Sequence, residues 1–109
     1  MKISIDKNLI YKSLVHVQSI VEKKNTIPIL SNILLDTTDS SLVLSATDMD
    51  ISITEAINCS VIEQGSVTVP AHTLYDIVRK IPDGSEIEFI SNDGKKFSIR
   101  SGKSRFSLS

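Results

Sequence analysis

The sequence predicts an α+β domain: a β-α-β-β-β unit used twice, with its two helices packed on antiparallel sheet. Three observations carry this reading. Two segments, about 7–22 and about 71–81, place apolar residues at helical spacing. Most of the rest alternates apolar and polar residues in short runs separated by turn chemistry. The order of segments then recurs: strand, helix and three strands over 1–58, and the same over about 64–109. Identity between the halves is poor, so the repeat is one of pattern.

Each element follows from its residues. Lys2 to Asp6 alternates, with Ile3 and Ile5 on one face, and reads as a strand. Leu9, Ile10, Leu14, Val17 and Val21 form the apolar stripe of the first helix. Lys12, His16, Ser19 and Lys23 lie opposite, and Asp6 stands where an N-cap belongs. Pro28 in "NTIPIL" cannot continue a helix and biases Ile27 to extended geometry. "SNILLD", "SLVLSAT" and "DISITEAI" read as strands, with turns in "TTDSS" and around "TDMD". "GSVTVPA" puts Val67 and Val69 on one side. The second helix sets Leu74, Ile77, Val78 and Ile81 against His72, Asp76, Arg79 and Lys80, and "PDG" ends it. "EIEFIS", a turn at Asp93-Gly94, "KFSIRS", a turn at Gly102 and "RFSLS" complete the chain.

With 109 residues, 40% apolar and 23% charged, the chain has the makings of one soluble domain with one core. A single cysteine, Cys59, rules out an internal disulfide and suits a small core residue in a reducing compartment. The opening "MKISIDKNLI" lacks the apolar core of a signal peptide, and no apolar run approaches the ~20 residues of a membrane span. A cytoplasmic protein with no membrane role is expected.

Net charge is -1, so any polyanion partner must be met by uneven charge placement. Placement is uneven. Residues 7–24 hold Lys7, Lys12, Lys23 and Lys24 against Glu22, whereas 25–71 contain no Lys or Arg but six acids: Asp36, Asp39, Asp48, Asp50, Glu55 and Glu63. The pattern predicts a basic helical face and an acidic sheet layer, a polarity suited to a polyanion.

No catalytic motif emerges. Gly102-Lys103-Ser104 suggests a phosphate loop, but that motif needs a glycine where Phe97 stands and a helix where a strand follows. Gly102 more simply supplies the positive φ of a hairpin turn. Asp48 and Asp50 have the spacing of a metal-binding pair but lack a third ligand, so a solvated turn is the simpler account. His16 and His72 sit on different helices, and His72 has only Asp76 at i+4. Cys59 has no nearby base. No metal, no cofactor and no catalysis are expected.

"TIPILSNILL" (26–35), "LVLSATDMDISI" (42–53), "VPAHTLYDIVRKIPDG" (69–84) and "IRSGKSRFSLS" (99–109) together resemble the bacterial DNA sliding clamp family, the beta subunits of the replicative DNA polymerase III holoenzyme. The resemblance runs over the whole chain and corresponds to the first of that family's three similar domains. It implies a DNA-clamp domain, the doubled unit already read from the pattern. It also implies a homodimeric ring around duplex DNA, helices lining the hole and sheets forming the outer wall. The implied role is non-catalytic: a processivity factor that tethers the replicative polymerase. Polymerase and clamp loader would dock between the second and third domains, beyond these residues. A single such domain would be mainly monomeric or self-associate through its open edge.

Matched position by position, the resemblance makes Lys12, Lys23, Lys24, His72, Arg79 and Lys80 the DNA-facing candidates. Glu22 to Asn25 departs from the family's glycine- and arginine-containing versions: Lys24 keeps a cation but lacks the two-pronged guanidinium. "SRFSLS" corresponds to the strand that pairs with the other subunit. Phe106 and Leu108 would be its apolar anchors, and Lys103 and Arg105 the charges facing an acidic partner. On pattern alone, Phe106 and Leu108 equally suit this domain's own core. Two other functions fit the residues less well: a metal-dependent nuclease using Asp48 and Asp50, and a β-edge binding module without a DNA role.

Overall fold

The computed structural model describes the backbone of residues 1–24, 32–47, 52–92 and 96–108, and their side chains apart from 18–24, 47 and 52. In chain order the elements are β1 (Lys2–Asp6), α1 (Lys7–Lys24), β2 (Asn32–Thr37), β3 (Ser41–Thr47), β4 (Ser52–Asn58), β5 (Ser60–Glu63), β6 (Ser66–Pro70), α2 (Ala71–Lys80), β7 (Glu86–Asn92), β8 (Lys96–Ser101) and β9 (Ser104–Leu108). The "NTIPIL" break, the Asp48–Asp50 turn and the Asp93-Gly94 turn lie outside the described residues.

Local chemistry starts and stops both helices. Asp6 Oδ2 accepts from the backbone N–H of Asn8 (3.1 Å) and Leu9 (3.3 Å), satisfying two of the free donors at the start of α1. Pro70 precedes α2 with φ -64° and no side-chain cap. Arg79 and Lys80 stand in the last turn of α2, where cations complement the exposed carbonyls. Gly84, at φ 82°, then turns the chain into β7.

The strands form two antiparallel sheets, ordered β5-β1-β7-β8-β9 and β4-β3-β2-β6. Each sheet takes the first strand of one unit and the last three of the other: β1 joins β7-β8-β9, and β6 joins β2-β3-β4. Neither unit therefore completes a sheet alone. The duplication is visible in positions as well. At one constant offset, Ile3 and Ile5 match Val67 and Val69, Ile10 and Leu14 match Leu74 and Val78, and Tyr11 matches Tyr75. The inner faces of both sheets and the buried stripes of both helices meet in one core containing Ile3, Ile5, Ile10, Leu14, Ile33, Leu35, Leu42, Leu44, Leu74, Val78, Ile87, Phe89 and Ile99.

Three features differ from the sequence reading. β5 was not expected: "SVIE" is too short and too weakly alternating to signal a strand, and only its pairing with β1 makes it one. Leu9 is 47% exposed instead of joining the apolar stripe, because it is rotated about 100° along the helix from Ile10. Lys7 is buried, not part of an exposed basic face.

Candidate nucleic-acid interface

Each helix points a buried stripe into the core: Ile10, Ser13, Leu14 and Val17 on α1, and Ala71, Leu74 and Val78 on α2. Opposite it, Asn8, Leu9, Lys12, Val15 and His16 are exposed on α1, and His72, Thr73, Asp76, Arg79 and Lys80 on α2. The two stripes have the same helical spacing and lie opposite the buried ones, with Lys12 and His16 of α1 at the edge that borders β4. Between them Tyr11 and Tyr75 stack, with ring centroids 5.8 Å apart. The helices are therefore held side by side as one layer with one outer face.

That face gathers four of the six DNA-facing candidates. Lys12 is exposed beside Tyr11, above a hollow of about 260 Å³ that it shares with Leu9, Ser13 and the end of β4 from Ala56 to Asn58. His72, Arg79 and Lys80 are exposed on α2. The Arg79 guanidinium carbon lies 5.9 Å from the centre of the Tyr75 ring. Lys23 and Lys24 belong to the last turn of α1, and their side chains lie outside the described residues. Lys7 leaves the basic set: its ammonium is 2.5 Å from Asp83 Oδ1 and 4.5 Å from the centre of the Tyr11 ring.

The expected division between basic helices and acidic sheets is only partly present. Glu55 points to the helix side of β4 and pairs with His16 Nδ1. Asp76 lies on the helix face itself, 3.7 Å from Arg79. Conversely, the outer face of the β1-containing sheet carries Lys96, Arg100 and Arg105 around a hollow of about 280 Å³. Sequence reasoning missed that cluster, although the period-two spacing of Lys96, Ser98 and Arg100 already puts these residues on one face. It also missed the Tyr11–Tyr75 contact, which required knowing that the two helices pair.

β9 is an edge strand, hydrogen-bonded to β8 on one side. Phe106 and Leu108 lie across from Ile99 and Phe97, half-buried against the domain's own core. Arg105 lies directly across from Arg100, both exposed. Lys103 is exposed in the turn opened by Gly102, whose φ of 56° is the positive value expected of that glycine.

The described residues contain no group of three or more His, Cys, Asp or Glu placed to hold a metal ion. Burial pushes the Cys59 thiol above its ordinary pKa, which disfavours the nucleophilic thiolate. No described helix is long and apolar enough to cross a membrane.

The fold and sequence match known proteins along the whole chain. The chain is 48% identical over 109 residues to the beta sliding clamp of Caulobacter vibrioides (strain NA1000 / CB15N), covering 99% of this chain and 29% of that protein. It is 36% identical over 110 residues to the beta sliding clamp of Escherichia coli (strain K12), covering 100% and 30%. Among solved structures it superposes on Caulobacter crescentus pol III beta with a TM-score of 0.89 at 48% identity, covering 99% of this chain and 30% of that one. It superposes on the DNA polymerase III subunit beta of Pseudomonas aeruginosa with a TM-score of 0.89 at 32% identity, covering 100% and 30%. The chain thus spans just under a third of the length of these relatives. The family model described as DNA polymerase III beta subunit, N-terminal domain, matches residues 1–109, and the chain belongs to that family.

Proposed function

We propose that this chain is the first domain of a ring-shaped processivity clamp for bacterial DNA replication. In this reading the helix face meets duplex DNA, and the ring tethers the replicative polymerase without catalysing a reaction. Phosphate attraction carries no base information, so such a face holds DNA and still permits sliding. Tethering works by raising the local concentration of polymerase at the primer end. The observation that carries the proposal is the shared outer face of α1 and α2, which exposes Lys12, Arg79 and Lys80 opposite the buried stripes of the two helices.

The same proposal gives β9 a subunit interface. Arg100 and Arg105 repel across the β8–β9 ladder, an arrangement that an acidic partner strand would relieve. Lys103 and Arg105 would supply the charges, and the exposed parts of Phe106 and Leu108 the apolar contact. The homodimer, the clamp loader and the polymerase would all act on the whole cytoplasmic protein.

The test is charge reversal in the protein as the cell makes it. Arg79→Glu with Lys80→Glu should weaken binding to duplex of any sequence and flatten its salt dependence. Losing two phosphate contacts lowers the slope of log affinity against log salt by about 2. Incubation with magnesium or manganese should leave the duplex uncut. Unchanged affinity and slope, or metal-dependent cleavage, would overturn the proposal.

A further inference from the structure

Asp76 is the single acidic residue of α2, and it is exposed at the centre of the face described above. On the same stripe His72 precedes it by four residues, and Arg79 and Lys80 follow by three and four. Its carboxylate is 3.7 Å from the Arg79 guanidinium, which also lies over the Tyr75 ring. The aspartate adds little to folding in this position, since exposed i,i+3 pairs contribute at most about 0.5 kcal/mol. Its effect on an incoming polyanion is larger in kind. It offsets one positive charge in the middle of the face, and through a loose contact with one amino group it competes with phosphate for the Arg79 guanidinium.

Resting on the proposed DNA-facing role, we infer that Asp76 is an attenuating residue: it holds Arg79 back and keeps the affinity of the helix face for duplex DNA low enough for sliding. A fixed deep contact would hold the protein at one position on the phosphate lattice. A guanidinium shared between Asp76 and a passing phosphate makes contacts that exchange readily. Asp76 is a positioning residue in this scheme, acting through Arg79.

The experiment measures equilibrium binding of the natural full-length protein to a short linear duplex across a salt series. Asp76→Asn should tighten binding by roughly two- to fivefold at low salt, the factor that corresponds to an exposed charge pair. It should also steepen the slope of log affinity against log salt by up to about one unit, and the gain should vanish at high salt. Asp76→Glu should behave as the natural protein. In an Arg79→Gln background, Asp76→Asn should give a smaller gain than it gives alone. If Asp76→Asn leaves affinity and slope unchanged while Arg79→Glu with Lys80→Glu weakens binding, this inference falls and the DNA-facing role stands. If the double reversal has no effect either, the DNA-facing role falls with it.

Discussion

Tyr11 and Tyr75, which hold the same place in the two β-α-β-β-β units, stack on each other with ring planes 15° from parallel. The units exchange their first strands reciprocally, as an approximate two-fold axis requires, and the contact between equivalent tyrosines lies beside that axis. Lys7 lies over one ring and Arg79 over the other, so a structural cation and a surface cation flank the same aromatic pair. The stack thereby joins the core of the domain to the face that we propose meets DNA.

The pair has a consequence at high pH. The Tyr75 hydroxyl is raised above its ordinary pKa, first by the neighbouring Tyr11 side chain and then by desolvation. A raised folded-state value favours the neutral phenol. The associated stability is fully present below the unfolded tyrosine range and is lost as pH climbs through the folded value. Tyr11→Phe should bring Tyr75 back toward ordinary tyrosine, as followed by ultraviolet absorbance titration. A Tyr75 titration identical in the two proteins would refute the coupling.

Lys7 and Asp83 should respond asymmetrically to substitution. The Lys7 side chain is 6% exposed and that of Asp83 81% exposed. Asp83→Ala leaves a buried ammonium without its carboxylate and should cost about 2 kcal/mol. Lys7→Met removes the charge together with its need for a partner and keeps the aliphatic stem, so it should cost less. Chemical denaturation of both variants checks the order, and Lys7→Met as the worse of the two would contradict it.

Asp6 caps α1 through two backbone N–H groups, whereas Pro70 offers α2 no such side chain. Asp6→Ala should therefore destabilise the domain by about 1 kcal/mol, with Asp6→Asn largely retaining the cap. Thermal or denaturant unfolding of the three proteins gives the comparison.

Arg105→Glu should have opposite effects on folding and on assembly. Across from Arg100 it turns a like-charged pair into an attractive one, which should raise domain stability by a few tenths of a kcal/mol. In the full protein it should weaken the proposed subunit contact, seen by sedimentation as a shift from dimer to monomer. Loss of folding stability together with an intact dimer would reverse both expectations.

Much of this was legible in the chain because it depends on local chemistry. The helices follow from apolar residues at helical spacing, with Asp6 at one start and the Pro82-Asp83-Gly84 stop after the other. The turn at Gly102 follows from glycine's access to positive φ. The cations of α2 were legible because a helix with a clear apolar stripe fixes its exposed one. Lys7 was misread because it lies in the first turn, where helical phase does not reveal that the α2–β7 turn folds over it to place Asp83 at its ammonium.

The sequence by itself determined every element but β5, their duplicated order and the sign of charge on each helix, since these depend on residues within a few positions of one another. The tertiary structure alone decided that β1 and β6 exchange sheets, that Tyr11 meets Tyr75, and that Glu55 reaches the helix side beside His16. Strand partners and cross-helix contacts are chosen by how two units bury their apolar faces against each other. That choice joins residues dozens of positions apart, and no local pattern records it.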